Sequence, residues 1–146
     1  MNHKGIIAEA STTINVPRAD VWDALTDPAV IKQFMFGTDA VSEWKVGSAI
    51  VWHGMWEGKA YEDKGVILRI DPPRVLQYSH YSPLSGAPDV PENYHTLTYE
   101  LTEQADKTLV TLSQDNNANE EEREHSQEMW ETLLVSLKKV LEAPEN

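Results

Sequence analysis

Residues 119–142 read Asn-Glu-Glu-Glu-Arg-Glu-His-Ser-Gln-Glu-Met-Trp-Glu-Thr-Leu-Leu-Val-Ser-Leu-Lys-Lys-Val-Leu-Glu, and the reading of this stretch decides the fold. Met129, Trp130, Leu133, Leu134, Leu137, Val140 and Leu141 recur at three- and four-residue spacing, the signature of an amphipathic helix. Asn119 can cap the first turn, with Glu122 three residues later able to reach back. Lys138 and Lys139 sit in the last turns, where cations are favoured, and Pro144 stops the helix. At 1.5 Å rise per residue, residues 120–142 make a rod of about 35 Å. Its apolar stripe needs an apolar surface to lie on, and the rest of the chain has to supply it.

That surface reads as a sheet. From Ile6 to Val16 apolar and polar residues alternate, with Ile6, Ala8, Ala10, Thr12, Ile14 and Val16 on one face of a half-buried strand. Pro17 ends the strand and suits the first position of a short helix carrying Val21, Trp22 and Leu25. Asp27-Pro28 repeats the start signal for a second short helix with Val30, Ile31 and Phe34. Strands are expected at Ala49–Trp56, Tyr61–Asp71, Val75–Ser82, Tyr94–Glu103 and Thr108–Asp115, separated by glycines, by the turn Asp71-Pro72-Pro73-Arg74, and by a stiff Pro-rich loop from Pro83 to Glu92. Short links between successive strands mean an antiparallel meander. The expected architecture is α+β: a helix-grip, in which a curved antiparallel sheet of six or seven strands wraps a long C-terminal helix, with two short helices after the first strand. Residues 1–146 are expected to form a single domain, without repeats or linkers.

Composition narrows the function classes. The chain has 146 residues, no cysteine, and a formal net charge of −12. No disulfide, thiol nucleophile or thiolate metal site can exist. The charge repels phosphate backbones and anionic membrane surfaces, so neither nucleic acid nor membrane is an expected partner. With no signal-peptide pattern and no apolar run of about 20 residues, the expected location is the cytoplasm. The acidity is uneven: residues 100–146 hold 12 acids and 4 bases, much of the excess lying in Glu120, Glu121, Glu122, Glu124 and Glu128. A solvated helix start explains that cluster, since carboxylates suit a helix N-terminus; a docking surface for a basic protein is the sharper alternative.

Val16-Pro17-Arg18-Ala19-Asp20-Val21-Trp22-Asp23-Ala24-Leu25-Thr26-Asp27-Pro28 resembles the opening of START-like (SRPBCC) proteins. More narrowly, it is similar to bacterial relatives of the activator of the heat-shock-protein-ninety ATPase. Trp44-Lys45-Val46-Gly47-Ser48, the segment Gly65 to Leu76, Tyr99-Glu100-Leu101-Thr102 and the helix segment Trp130–Leu141 extend the resemblance over residues 6–142. It implies a ligand cavity between sheet and helix, and it covers carriers, hormone receptors, cyclases and chaperone activators alike, so function has to come from the site. The chain departs from the family in two places: Met129 stands where glycine is usual before the helix tryptophan, and Phe34-Met35-Phe36 where a tryptophan is usual after the second short helix.

The candidate ligand-binding residues are those expected to face that cavity. Trp52 and Trp56 share a strand face with Ile50; Tyr78 and His80 share one with Leu76; His95 shares one with Leu97 and Tyr99; Gln114 shares one with Val110 and Leu112. Met129, Trp130 and Leu133 face them from the open half of the helix, while Leu137 and Leu141 pack solidly. Aromatic side chains with one polar tip suit a flat apolar molecule carrying a few oxygens. Filling an ordinary core is the plain alternative. His80 and His95 flank the Pro-rich loop and could meet by antiparallel pairing, which opens a cyclase- or dehydratase-type enzyme using His80 or His95 with Tyr78 or Tyr99. No metal spacing, nucleophile motif or phosphate loop occurs, so no cofactor is expected. The expected function is binding of a small apolar or aromatic molecule without chemistry, with a chaperone-regulatory protein contact and an enzyme as alternatives.

Overall fold

The alternation over residues 6–16 does form a strand, but one that ends at Ile14. In the computed structural model, which describes residues 5–56, 58–83 and 86–143 without the Trp56 side chain, β1 (Ile6–Ile14) is followed by α1 (Arg18–Leu25) and α2 (Pro28–Phe34). Pro17 is the N-cap of α1, with extended backbone, and not its first helical residue. Asp27 caps α2 as expected, its carboxylate accepting from the Ala29 N–H at 3.0 Å. Then come β2 (Asp39–Ser42), β3 (Ala49–Trp56), β4 (Lys59–Asp71), β5 (Val75–His80), β6 (His95–Gln104), β7 (Lys107–Asn117) and α3 (Glu120–Glu142). The loop before β6 carries a short 3-10 turn at Pro91–Asn93.

All seven strands join one antiparallel sheet in the order β1-β7-β6-β5-β4-β3-β2. The strand β2, absent from the sequence reading, is a four-residue edge paired to β3 through Val41–Val51 and Ala40–Trp52. The fold is the expected helix-grip. The helix α3 crosses the concave face against β1 and β7, and α1 and α2 cover the remainder of that face. Ile14, Val21, Ile67, Val110, Leu112 and Leu137 are wholly enclosed between these layers.

One close approach sets the geometry of the far half of the sheet. A Cβ on Gly65 would lie 1.7 Å from the Ser79 carbonyl oxygen, so only glycine lets β4 and β5 come this near. The neighbouring Val66 N–H donates to Ser79 Oγ at 2.9 Å. This contact draws the inward-facing residues on either side of Gly65 toward those of β5.

On α3, Ser126, Trp130, Leu133, Leu134 and Leu137 are buried. Met129 is 47% exposed, which corrects its expected place in the cavity. The reason is helical phase: the buried stripe runs 126-130-133-134-137, and Met129 stands about 100° away from Trp130 around the helix. Leu141 is half-buried against the core as the helix runs out.

Candidate functional site

The sequence-predicted residues divide into two groups on the concave face. Gln114, from β7, belongs to a polar cluster beneath α3. Trp130 Nε1–H donates to Gln114 Oε1 at 2.8 Å, and because indole can only donate, this bond fixes which way the amide points. Gln114 Nε2 therefore turns to Asn117 Oδ1 and Ser126 Oγ, both at 3.4 Å. Ser126 Oγ donates to Asn117 Oδ1 at 2.9 Å, and Asn117 Nδ2 donates to the Ile6 carbonyl at 2.9 Å and the Gln114 carbonyl at 3.1 Å. His95 adjoins the cluster, its Nδ1 lying 2.8 Å from the Asp115 carbonyl oxygen, so that nitrogen carries the proton. The 3.3 Å approach of Gln114 Nε2 to the same nitrogen then sets donor against donor and is a contact, not a bond. The Leu133 side chain is also buried, in the same core as Trp130.

Trp52, Tyr78 and Tyr99 form the second group, on β3, β5 and β6. Tyr78 lies across from Leu97 and Leu76 across from Tyr99, which sets the two phenols diagonally on one face. Trp52 and Tyr78 meet at 5.1 Å between ring centroids and Tyr78 and Tyr99 at 6.4 Å, both tilted. Burial pushes both phenols well above the usual phenol range, Tyr78 further through its neighbour Tyr99. They are neutral hydroxyls at any physiological pH.

These three rings line a small void with Leu25, Ile31, Phe34, Met35, Trp44, Ile50 and Leu76. Its volume is about 10 Å³, room for no more than one water. Two expectations change here. The interior is nearly filled in this conformation. This void lies beneath α1 and α2, with no side chain of α3 on its wall. Sequence patterning marks which faces are apolar, but the fit between layers depends on side-chain volumes that no periodicity reports. The Trp56 side chain lies outside the described residues, so its expected role is neither met nor refused.

His80 and His95 stand directly across from one another in the β5–β6 pairing, as the antiparallel reading expected. Neither is paired with a tyrosine among the described residues. His80 Nε2 lies 2.9 Å from Asp63 Oδ2, and its ring meets Trp52 edge-on at 5.1 Å. Asp63 was missed in the sequence reading. Its signal was a carboxylate at an inward position of β4, between Tyr61 and Gly65, opposite Trp52.

The acidic start of α3 is solvated. Glu120, Glu121, Glu124 and Glu128 are exposed, Asn119 Oδ1 accepts from the Glu122 N–H at 2.8 Å, and Arg123 bonds to Glu120. No group of His, Asp and Glu side chains among the described residues has the arrangement to hold a metal ion, and no described helix is long and apolar enough to cross a membrane.

Residues 15–142 match the model of the Activator of Hsp90 ATPase homolog 1-like protein family. The chain belongs to that family. A solution structure from Cytophaga hutchinsonii is 54% identical, with 97% of each chain covered and a TM-score of 0.83. The Aha1 dimer from Colwellia psychrerythraea is 20% identical over 97% of this chain and 99% of that one, with a TM-score of 0.73. CalU16 from Micromonospora echinospora is 21% identical over 98% and 88%, with a TM-score of 0.70; at this level the last two share the fold. No curated protein matches the chain. Family membership fixes the helix-grip and leaves the occupant of its interior to be argued from the side chains.

Proposed function

We propose that this protein binds a small, flat, apolar or aromatic molecule bearing an oxygen, and holds it without converting it. The chamber is the one beneath α1 and α2, walled by Trp52, Tyr78 and Tyr99. One observation carries the reading: two neutral phenols are buried side by side in a chamber whose other walls are apolar. A core needing only volume is better served by phenylalanine or leucine, because each buried hydroxyl demands a partner. Each phenol carries a hydroxyl proton that can be donated to a ligand oxygen.

The void must expand to admit anything larger than water, and its walls suit that. Met35 is an adaptable side chain at the end of α2, a helix of only seven residues. Behind it Phe36 and Gly37 both adopt positive φ, at 56° and 91°, on the way to the short edge strand β2. The roof is thus a short segment between a proline start and a bent exit. Lifting it exposes the rings of Trp52, Tyr78 and Tyr99 without disturbing the cluster beneath α3.

Thermal melting with a panel of bicyclic aromatics, with and without a hydroxyl, tests the reading. A ligand at 100 times its dissociation constant adds about 2.7 kcal/mol of stability, a rise of several degrees. Hydroxylated members should raise the melting temperature more than their parent hydrocarbons. A panel in which nothing raises it contradicts the proposal.

A further inference from the structure

The wall of the chamber continues outward as a ladder of side chains. Tyr99 meets Tyr78, Tyr78 meets Trp52, Trp52 meets His80, and His80 meets Asp63. The ladder begins at buried phenols and ends at a histidine whose side chain is 22% exposed. Its last pair is the unusual one. Asp63 Oδ2 takes His80 Nε2 at 2.9 Å, while Asp63 Oδ1 is buried with no hydrogen-bond partner among the described residues. Natural structures seldom leave a buried carboxylate oxygen unmatched, and such a group calls for an explanation.

A carboxylate can only accept, so His80 presents an N–H at Nε2. In neutral imidazole that makes Nδ1 the acceptor. A carboxylate that fixes the tautomer of a histidine, leaving the other nitrogen basic, is the arrangement by which proteins orient a proton acceptor. Other charged or titratable groups nearby are committed elsewhere. His95, across the strand pair, has its Nδ1 proton on the Asp115 carbonyl. Lys64 follows Asp63 on the opposite face of β4 and pairs with Asp89 at 2.5 Å.

We infer that Asp63 and His80 form a proton-accepting pair that receives the acidic hydroxyl, a phenol or an enol, of a flat molecule lying against Trp52, and holds that molecule as its anion. The inference deepens the aromatic-ligand reading and rests on it. In the step, the ligand O–H bond breaks and a Nδ1–H bond forms. The electron pair stays on the ligand oxygen, and the resulting imidazolium lies between that oxyanion and the Asp63 carboxylate. Nothing is oxidised or reduced. The trade replaces one neutral hydrogen bond with charge-assisted bonds on both sides of the ring, in a partly buried setting where these are strong.

The test uses the full chain at neutral pH with 4-nitrophenol, whose anion absorbs visible light where the neutral form does not, and with nitrobenzene, which has no proton to give. Quenching of tryptophan fluorescence reports binding of either probe; absorbance reports the ionisation of the phenol. The expected result is that bound 4-nitrophenol is displaced toward its anion by about tenfold or more relative to free probe, a shift of one pKa unit. Asp63→Asn and His80→Gln should each return that ratio to its solution value, and Asp63→Asn, which alters no ring, should change nitrobenzene affinity less than about threefold. A phenol that binds with its solution ionisation, or a displacement that survives both substitutions, overturns the inference and leaves the pocket standing. If neither probe binds, the pocket reading fails, and this inference fails with it.

Discussion

The concave face has two ends, and they are finished differently. Beneath α3 the cluster of Gln114, Asn117, Ser126 and Trp130 knits β7, β1 and the helix together, with the one ring nitrogen of Trp130 and both ends of the Gln114 amide matched. Beneath α2 two phenols share a void, and on β4 a buried carboxylate oxygen has no hydrogen-bond partner among the described residues. The sequence reading put the open end of the grip at the start of α3. The hydrogen bonds point the other way: the α3 end is locked, and the polar groups left for a ligand lie on β4, β5 and β6.

Substitutions should separate the ends by size of effect. Gln114→Leu strands the Trp130 N–H and removes partners of Ser126 and Asn117, so chemical denaturation should show a loss of about 2–4 kcal/mol. A loss below about 1 kcal/mol would mean that the α3 end is not the locked one.

Alkaline titration probes the other end. Tyr78 and Tyr99 have folded-state values raised by burial, so both stay protonated in the fold after unfolded tyrosine begins to ionise near pH 10. Their stabilising contribution is fully present below about pH 10 and is lost as pH rises beyond it, at up to about 1.4 kcal/mol per pH unit for each phenol. In Tyr78→Phe, denaturation curves measured across that range should fall with a shallower slope than the parent protein's. Equal slopes would show that the phenols do not stay neutral.

At neutral pH the same Tyr78→Phe change removes one buried hydroxyl and should cost no more than about 1 kcal/mol. Its larger consequence is chemical: hydroxylated or keto ligands should lose their advantage over hydrocarbons. Asp63→Asn should alter stability least, by no more than about 0.5 kcal/mol, because one carboxylate oxygen already lacks a partner among the described residues and an amide oxygen can still accept from His80. A cost as large as that of Gln114→Leu would mean that Asp63 is structural.

Much of the fold was legible because long periodic segments carry it. Ala49–Trp56 and Glu120–Glu142 were read to the residue, as was the Asp27 cap of α2. The edge strand β2 was not, since four residues between glycine-punctuated turns hold too few alternations to stand out. Val16 was assigned to β1 on alternation alone, but pairing with β7 stops at Ile14, opposite Thr108. Met129 was misplaced by one helical step; tracing the stripe back four residues from Trp130 leads to Ser126, and a serine is easily passed over in a search for apolar side chains. In the site, the inward positions of Trp52, Tyr78, Tyr99 and Gln114 followed from strand parity. The partnership of Asp63 with His80 did not, because it depends on a register between β4 and β5 that shifts between Ile67 and Arg69, and on how closely Gly65 lets the strands approach.

The indole N–H signals give the most direct test of where the interior opens. Trp44 and Trp52 line the void beneath α2, while the Trp130 N–H is held by Gln114 at the other end. In a heteronuclear NMR titration with 2-naphthol, the Trp44 and Trp52 indole signals and the amides of α2 should move together and saturate. The Trp130 indole signal should stay in place. Movement of Trp130 with Trp44 and Trp52 unmoved would put the ligand beneath α3 and contradict the account.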